Sequence, residues 1–224
     1  PELERSYIDM LRRNMVDGVI VNSLNIGAEA YAEMGLSLVG IDCDLGEASV
    51  QIASDSYSIG ELATRRLIDD GCSRILCLRS NSRMRMPANK RTDAYLDVVE
   101  QAGLPALVRE VEFVKPDDEK SAVVAKILDE NPDIDGIFAG DDTMAAICLN
   151  VMKQRGLSAP DDIKVVGADG ARRTMTFMPD LTTVRQDIDR IGELAAQSII
   201  ALINGEKPES NIKLPVELIE GKTA

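Results

Sequence analysis

Short runs of β-branched and apolar residues alternate with longer segments of helical periodicity along this chain of 224 residues. Residues 38–41 and 75–78 are two of the short runs, and Ile59, Ala63 and Leu67 recur at spacings of four on one face of a helical segment between them. Strands that alternate with helices of ten to fifteen residues are typical of a parallel sheet covered by helices on both faces. The sequence therefore predicts a doubly wound α/β fold.

The same pattern predicts the other elements of the chain. Strands are predicted at 19–21, 38–41, 50–53, 75–78, 108–113, 137–138 and 164–167, with a final strand near 212–219. Helices are predicted near 3–11 and 27–34, at 59–68, up to Gly103, from Asp118 to just before Pro132, at 142–155 and at 187–204. Most of the strands are followed by a polar loop, so polar groups are expected to gather at their carboxyl ends.

Histidine is absent from the sequence, and its four cysteines form no CxxC pair. Without histidine, Ser-His-Asp and Cys-His catalysis and zinc sites built on imidazole are excluded. The cysteines, most of which have apolar neighbours, are expected to be buried thiols in a reducing compartment. No phosphate-binding motif of the GxxxxGK[ST] or GxGxxG type follows a strand. We expect no catalytic residue, no metal site and no cofactor.

Two pairs of adjacent acids, Asp141-Asp142 and Asp161-Asp162, are the remaining candidates for acid–base or magnesium chemistry. Each pair is interpreted as standing before a helical run. Asp in that position more often accepts hydrogen bonds from the first backbone N–H groups of a helix. Helix capping is therefore the favoured interpretation of both pairs.

The formal net charge of −13 and the pI of about 4.5 argue against broad electrostatic attraction to nucleic acid. No apolar run reaches the roughly 20 residues needed to cross a bilayer, and the first residues lack the apolar core of a signal peptide. We expect a soluble cytoplasmic protein that does not associate with membranes.

One stretch departs from the acidic average, because Cys77–Arg91 contains four arginines, one lysine and no acid. It begins at the carboxyl end of a predicted strand. Asp42, Asp141 and Asp169 follow the ends of three other predicted strands. Ligands of open parallel sheets bind outside the carboxyl ends of the strands. The pattern predicts a cleft for a small polar molecule, although a solvated surface loop is the alternative for the basic stretch.

Several segments together resemble one family of proteins. "DGIFAGDDTMAAICLNVMKQRGLSAPDDIKVVGADG" and "MPDLTTVRQDIDRIGELAAQSIIALINGE" resemble the effector-binding module of the lactose-repressor/galactose-repressor family of bacterial transcription regulators. "DGVIVNS", "IDDGCSRILCL" and "KRTDAYLDVVEQAGLP" fit the same pattern in the same order, so the resemblance covers essentially the whole chain.

The resemblance implies a periplasmic-binding-protein-like fold of two doubly wound subdomains, joined by three crossover segments, with the effector in a cleft between them. The first subdomain would comprise 1–54 and 184–210 and would be incomplete at its start; the second would comprise 55–183 and 211–224. Effector binding would close the hinge and control DNA affinity. DNA would be bound only through an N-terminal region not present in these residues, and the protein would be a homodimer.

The resemblance also implies a set of ligand-binding residues: Asp42, Arg85, Arg91, Lys115, Asp141, Asp169 and Gln186. An arginine side chain offers a planar fork for carboxylates or neighbouring hydroxyls, and aspartate accepts from sugar hydroxyls. Asp141 is as well interpreted as a helix cap, Gln186 as a partner within its strand, and Lys115 as a solvated loop residue.

Because the basic stretch has no acid of its own, and Lys115 stands where an aromatic residue often stacks on the ligand, we expect an anionic effector such as a sugar acid or sugar phosphate. A neutral sugar is the alternative if the acids alone balance the arginines. Two other classes of protein stay open, namely a sugar-binding protein of an ABC transporter and a sugar-handling enzyme.

Overall fold

The computed structural model describes residues 7, 16–22, 31, 36–43, 45–46, 49–80, 87–112 and 115–224. Within these ranges the elements are, in chain order, β1 (Gly18–Val21), β2 (Ser37–Ile41), β3 (Val50–Ser54), α1 (Ser56–Asp69), β4 (Ile75–Arg79), α2 (Asn89–Gln101), β5 (Leu107–Glu110), α3 (Asp117–Glu130), β6 (Gly136–Phe138), α4 (Asp142–Gln154), β7 (Lys164–Asp169), α5 (Arg172–Phe177), β8 (Thr182–Gln186), α6 (Ile188–Ile203), β9 (Asn211–Leu214) and β10 (Val216–Ile219). They form two compact units, each with its own sheet.

The larger unit contains a six-stranded sheet of order β10-β8-β7-β6-β4-β5. Five of its strands run parallel, and β10 pairs antiparallel with β8. Neighbouring residues of β4 face opposite sides of the sheet, as the pleat requires. Leu76 packs with residues of α3 and α4 on one face, whereas Ile75 packs with residues of α1 and α2 on the other. The predicted doubly wound α/β arrangement is confirmed in this unit.

The smaller unit contains a four-stranded parallel sheet of order β1-β2-β3-β9. Its main helix in the described residues is α6, which buries Ile191 and Ala195 against Val39, Val50 and Ile52 of the sheet.

The chain passes from one unit to the other after Asp55, after Gln186 and after Pro215, and Pro87 is also grouped with the smaller unit. Two of these points differ from the expected boundaries at 183/184 and 210/211. Strand β8 continues unbroken to Gln186 beside β7, and β9 pairs in parallel with β3 and therefore belongs to the smaller unit. The single final strand predicted near 212–219 is wrong, because Pro215, which lacks an N–H, separates two strands that join different sheets.

Other differences concern the ends of elements. Strand β5 ends at Glu110, earlier than predicted, and Phe113 lies outside the described residues. The short helix α5 was not predicted; none of its residues is buried, so no apolar period marks it in the sequence. The helices predicted near 3–11 and 27–34 fall almost wholly outside the described residues. None of the helices in the described ranges is long and apolar enough to cross a membrane.

Candidate functional site

Strands β4, β6, β7 and β8 are parallel neighbours in the larger sheet, so their carboxyl ends lie along one edge. Asp169 and Gln186 are the last residues of β7 and β8, and Gly140-Asp141 follow β6 by one residue. Arg91 lies in the first turn of α2, the helix that follows β4. The fold thus brings together four of the predicted ligand-binding residues; we call Arg91, Asp141, Asp169 and Gln186 the acceptor cluster.

Asp169 is the centre of this cluster. Its Oδ1 accepts hydrogen bonds from Nη2 of Arg91 at 3.1 Å and from Nε2 of Gln186 at 2.6 Å. Nη1 of Arg91 donates to the carbonyl of Gly140 at 2.5 Å. The Arg91 side chain is only 12% exposed and that of Asp169 34% exposed, so this ion pair is largely shielded from water.

Three acceptor atoms of the cluster are without a hydrogen-bond donor from the part of the chain that the structure describes. They are Oδ2 of Asp169, the second carboxylate oxygen of Asp141 and Oε1 of Gln186. Asp141 uses Oδ1 to cap α4, accepting from the Met144 N–H at 2.7 Å. The interpretation of Asp141 as a helix cap is therefore correct, and capping still leaves one of its oxygens available.

Burial and negative neighbours change the acidity of the carboxyl groups here. Burial, followed by the charge of Asp169, raises the pKa of Asp141, although the Met144 N–H and Arg91 oppose the shift. The neighbouring Asp142 is 4% exposed, and burial raises the pKa of its carboxyl to about 6. Among the described residues, the negative charges of Asp141, Asp142 and Asp169 outnumber the positive charges of Arg91 and Lys120, the second of which also lowers the pKa of Asp141.

Asp142 is a residue whose role the sequence did not reveal. It accepts hydrogen bonds from Oγ1 of Thr183 at 2.6 Å and from the N–H of Gly170 at 2.8 Å. The sequence predicts that Asp141 and Asp142 cap a helix, but only Asp141 does so. The sequence carries no local signal for this role, because Thr183 and Gly170 lie 41 and 28 residues from Asp142 along the chain.

Helix α1 fixes the position of Arg91. A Cβ at Gly60 would lie 2.0 Å from the carbonyl oxygen of Arg91, so the two helices touch at a point where only glycine fits. The backbone that carries the arginine is thereby held against α1.

The other predicted ligand-binding residues are not part of this cluster. Lys115 forms an ion pair with Glu119 at 3.6 Å, one turn along the chain, and no contact of Lys115 with the cluster is present in the described residues. Asp42 lies directly after β2 in the smaller unit, with φ of 50° and its N–H donating to Ile52 at 3.0 Å. Arg85 lies outside the described residues.

The described residues offer no group of three or more Cys, Asp or Glu side chains arranged to hold a metal ion. Cys72, Cys77 and Cys148 are buried free thiols, as expected, and Cys43 is partly buried. Burial raises the pKa of Cys77 and of Cys148 to about 12 and that of Cys72 to about 11. These thiols stay protonated at neutral pH and are poor nucleophiles.

Comparison with known proteins identifies the family. Residues 64–224 match the model of the periplasmic binding protein-like domain, and the chain belongs to that family. Within the family it resembles the effector-binding module of lactose-repressor-type transcription regulators, which confirms the resemblance seen in the sequence.

Three relatives illustrate the similarity. The sucrose operon repressor of Pediococcus pentosaceus is 33% identical over 226 residues, which cover 100% of this chain and 69% of the repressor. The periplasmic binding protein/LacI transcriptional regulator from Alkaliphilus metalliredigens, solved with D-xylulofuranose, superimposes with a TM-score of 0.87 at 25% identity, covering 100% of this chain and 83% of that one. The regulator CelR in complex with cellobiose gives a TM-score of 0.88 at 27% identity, covering 98% and 69%.

Proposed function

We propose that this chain is the effector-sensing module of a cytoplasmic bacterial transcription regulator, and that the acceptor cluster binds a small polyhydroxylated molecule. The observation that carries the proposal is the arrangement around Asp169. Arg91 and Gln186 both donate to Oδ1 and hold the carboxylate in place, while Oδ2 has no donor in the described residues. A fixed acceptor of this kind suits a sugar hydroxyl, which needs an oriented partner.

The relatives support a sugar as the effector. The sucrose operon repressor is named for a disaccharide, and CelR is solved with the disaccharide cellobiose. The regulator from Alkaliphilus metalliredigens is solved with the ketopentose D-xylulofuranose. This chain spans about two thirds of the length of the sucrose operon repressor it matches, 69%, so the activity of the whole regulator is part of the proposal. We propose a binding module without catalysis, because the curated relatives are transcriptional repressors.

The charge of the described cluster favours an uncharged sugar. Arg91 already has the Asp169 carboxylate and the Gly140 carbonyl as partners, and Asp141 adds a further negative charge. An anionic effector would need additional cations. Arg85 and Lys115 are the predicted sources, and the anionic effector stays a prediction that depends on them.

A thermal-shift screen tests the proposal. Sucrose, cellobiose and D-xylulose are compared with uronic, aldonic and phosphorylated sugars, because a ligand that binds the folded state raises its melting temperature according to occupancy. We expect a neutral sugar to stabilise the protein, and Arg91→Ala to abolish the shift. Lys90→Ala is the matched control, since Lys90 is the adjacent cation and pairs with Asp93 at the surface. Stabilisation that survives Arg91→Ala would contradict the proposed site.

We further propose that the effector acts by hinge closure in a homodimeric regulator, as the family resemblance implies. A ligand shifts a conformational equilibrium only by its different affinity for the two states. Small-angle scattering with and without the most stabilising sugar tests closure, and identical curves would contradict it. Sedimentation of the intact regulator tests the dimer, which a purely monomeric species at micromolar concentration would exclude.

A further inference from the structure

Asp142 is a buried carboxylate adjacent to the acceptor cluster that makes no direct contact with Arg91 or Gln186 in the described residues. Its two oxygens are each used once, by Thr183 of β8 and by the Gly170 N–H just after β7. From the start of α4 it therefore ties together two neighbouring strands at the edge where the cluster lies.

The hydrogen bonds of Asp142 stabilise a segment of backbone with positive φ angles. Asp169 has φ of 115° and Gly170 has φ of 58°, so two consecutive residues have positive φ. A residue other than glycine with such a φ is held there at a cost by its surroundings. The Gly170 N–H belongs to the peptide group directly after Asp169, and its bond to Oδ2 of Asp142 fixes the orientation of that peptide group.

The absence of a side chain at Gly167 of β7 leaves space for the Asp142 carboxylate. A Cβ at Gly167 would lie 2.5 Å from Oδ1 of Asp142, so a side chain at position 167 would displace the carboxylate. Gly167 is also the registered partner of Thr183, the second donor to Asp142. Three elements thus converge on one pair of oxygens.

We infer that Asp142 is a positioning residue for sugar binding: it acts through Asp169, by fixing the Asp169–Gly170 turn so that the Asp169 carboxylate meets Arg91 and Gln186 and keeps Oδ2 available. The inference rests on the proposed function of the acceptor cluster. Arg91 and Gln186 orient the side chain of Asp169, and Asp142 orients the main chain from which that side chain extends.

The first test needs no sugar. Hydrogen exchange at the Gly170 amide is measured by NMR in the wild type, in Asp142→Ala and in Asp142→Asn. We expect about tenfold faster exchange in the alanine variant, the equivalent of one lost hydrogen bond. The asparagine variant retains an oxygen that accepts from Gly170 and restores slow exchange. Unchanged exchange in Asp142→Ala would overturn the inference.

Asp162 provides a matched control. Like Asp142 it accepts from one backbone N–H and one hydroxyl, both from Ser158 at 2.8 Å, but it is exposed and outside the cluster. Asp162→Ala is expected to leave both the Gly170 exchange and sugar binding unchanged.

The second test asks whether Asp142 acts through Asp169. Affinity for the most stabilising of sucrose, cellobiose and D-xylulose is measured for Asp142→Ala, Asp169→Asn and the double variant. We expect Asp142→Ala alone to weaken binding about tenfold, and to add less than about twofold in the Asp169→Asn background, because coupled residues are not additive. A full tenfold loss in that background would overturn the inference. If Asp142→Ala does not fold, Thr183→Val replaces it in the affinity measurements. The exchange test then rests on Asp142→Asn alone. Faster exchange at the Gly170 amide in that variant than in the wild type would overturn the inference.

Failure of the proposed function has a different signature. If none of the three sugars binds the wild type, the sugar-sensing proposal is wrong. The rate of hydrogen exchange at Gly170 still decides whether Asp142 fixes the turn. The coupling between Asp142→Ala and Asp169→Asn is then measured from their effects on the free energy of unfolding, in place of sugar affinity. Additive effects of the two substitutions would overturn the inference.

Discussion

Arg79 and Arg91 come from the same basic stretch of sequence, and both lie toward the carboxyl edge of the larger sheet. Arg79 ends β4 and pairs with Glu110 at 2.9 Å, with side chains 33% and 43% exposed. Arg91 pairs with Asp169 at 3.1 Å while only 12% exposed, and it also donates to a backbone carbonyl. Equal charge in the sequence thus gives a surface ion pair at one end and a shielded network at the other.

The difference in exposure between the two ion pairs determines how much each arginine contributes to stability. Exposed ion pairs contribute roughly 0–1 kcal/mol, because water screens the charges and the side chains lose freedom. Removal of one partner from a buried pair costs about 3–5 kcal/mol, because the other charge stays buried without a partner. Three predictions test whether the network around Arg91 behaves as buried and the pair of Arg79 as more exposed, and a fourth tests the buried acid Asp142 beside that network.

Arg91→Ala is expected to have the largest effect on stability. The free energy of unfolding should fall by about 3 kcal/mol, the lower end of the buried range, since Asp169 retains some contact with water. Urea denaturation of wild type and variant at one pH measures the difference. A loss below about 1 kcal/mol would mean that this pair resembles an exposed one.

The pH dependence of stability should come in part from Asp142. Burial raises the pKa of its carboxyl from 3.8 to about 6 in the folded protein, so between these values the folded state holds a proton that the unfolded state has released. The contribution of Asp142 to stability is therefore complete below pH 3.8 and is lost as the pH rises through 6. The loss is about 3 kcal/mol at 1.36 kcal/mol per pKa unit.

Denaturation at pH 4 and at pH 7 measures this effect against Asp142→Asn, which cannot titrate at position 142. We expect the stability of the wild type relative to the variant to fall by about 2 kcal/mol between these pH values, because part of the total loss has already occurred at pH 4. Parallel pH profiles for the two proteins would contradict the raised pKa.

Gly60→Ala should disturb the Arg91–Asp169 ion pair by displacing the backbone of Arg91. Its Cβ would lie 2.0 Å from the Arg91 carbonyl, so α1 and α2 must separate. Overpacking of this kind costs about 1–3 kcal/mol, and the better helix propensity of alanine returns up to about 1 kcal/mol. We expect a net loss of about 1–2 kcal/mol together with weaker sugar binding.

Gly192→Ala in α6 is the matched control, because a Cβ there meets no atom within 4 Å. It should raise the free energy of unfolding by about 0.5–1 kcal/mol, as alanine does in an uncrowded helix position. If the two alanine variants change stability alike, the contact at Gly60 does not constrain Arg91.

Arg79→Ala should have the smallest effect. Its ion pair with Glu110 is partly exposed, with 33% of the Arg79 side chain and 43% of the Glu110 side chain accessible, so the free energy of unfolding should change by less than about 1 kcal/mol, and less at high salt. Binding of the most stabilising sugar should be unchanged. A loss as large as that of Arg91→Ala would remove the distinction between the two ends of the stretch.

Much of the larger unit could be predicted because its strands and helices carry strong periodic patterns. Strand β4, with alternate residues buried on opposite faces, and α1, with Ile59 and Leu67 buried, agree with the predicted elements. The assignment of β9 could not be predicted in the same way. A four-residue strand does not specify which sheet it joins, since pairing is decided by backbone hydrogen bonds at an edge rather than by its own side chains.

The site was predictable in part for a similar reason. Arg91 and Asp169 stand at ends of recognisable elements, so their approach follows from the parallel sheet. Asp142 looked like a second capping acid, because the sequence does not show that the donors it serves, Gly170 and Thr183, come from two distant segments. Long-range hydrogen bonds to buried acids have no local pattern.

The order of the chain through the two units has a consequence for synthesis on the ribosome. The five parallel strands of the larger sheet are all translated by Gln186, so that sheet can form while the chain is still growing. The smaller sheet contains β1, β2 and β3 from the beginning of the chain, yet it needs α6 to cover it and β9 to pair with β3. The smaller sheet therefore waits for β9, which is made after all five parallel strands of the larger sheet, and β3 lacks this partner until Leu214 has been made.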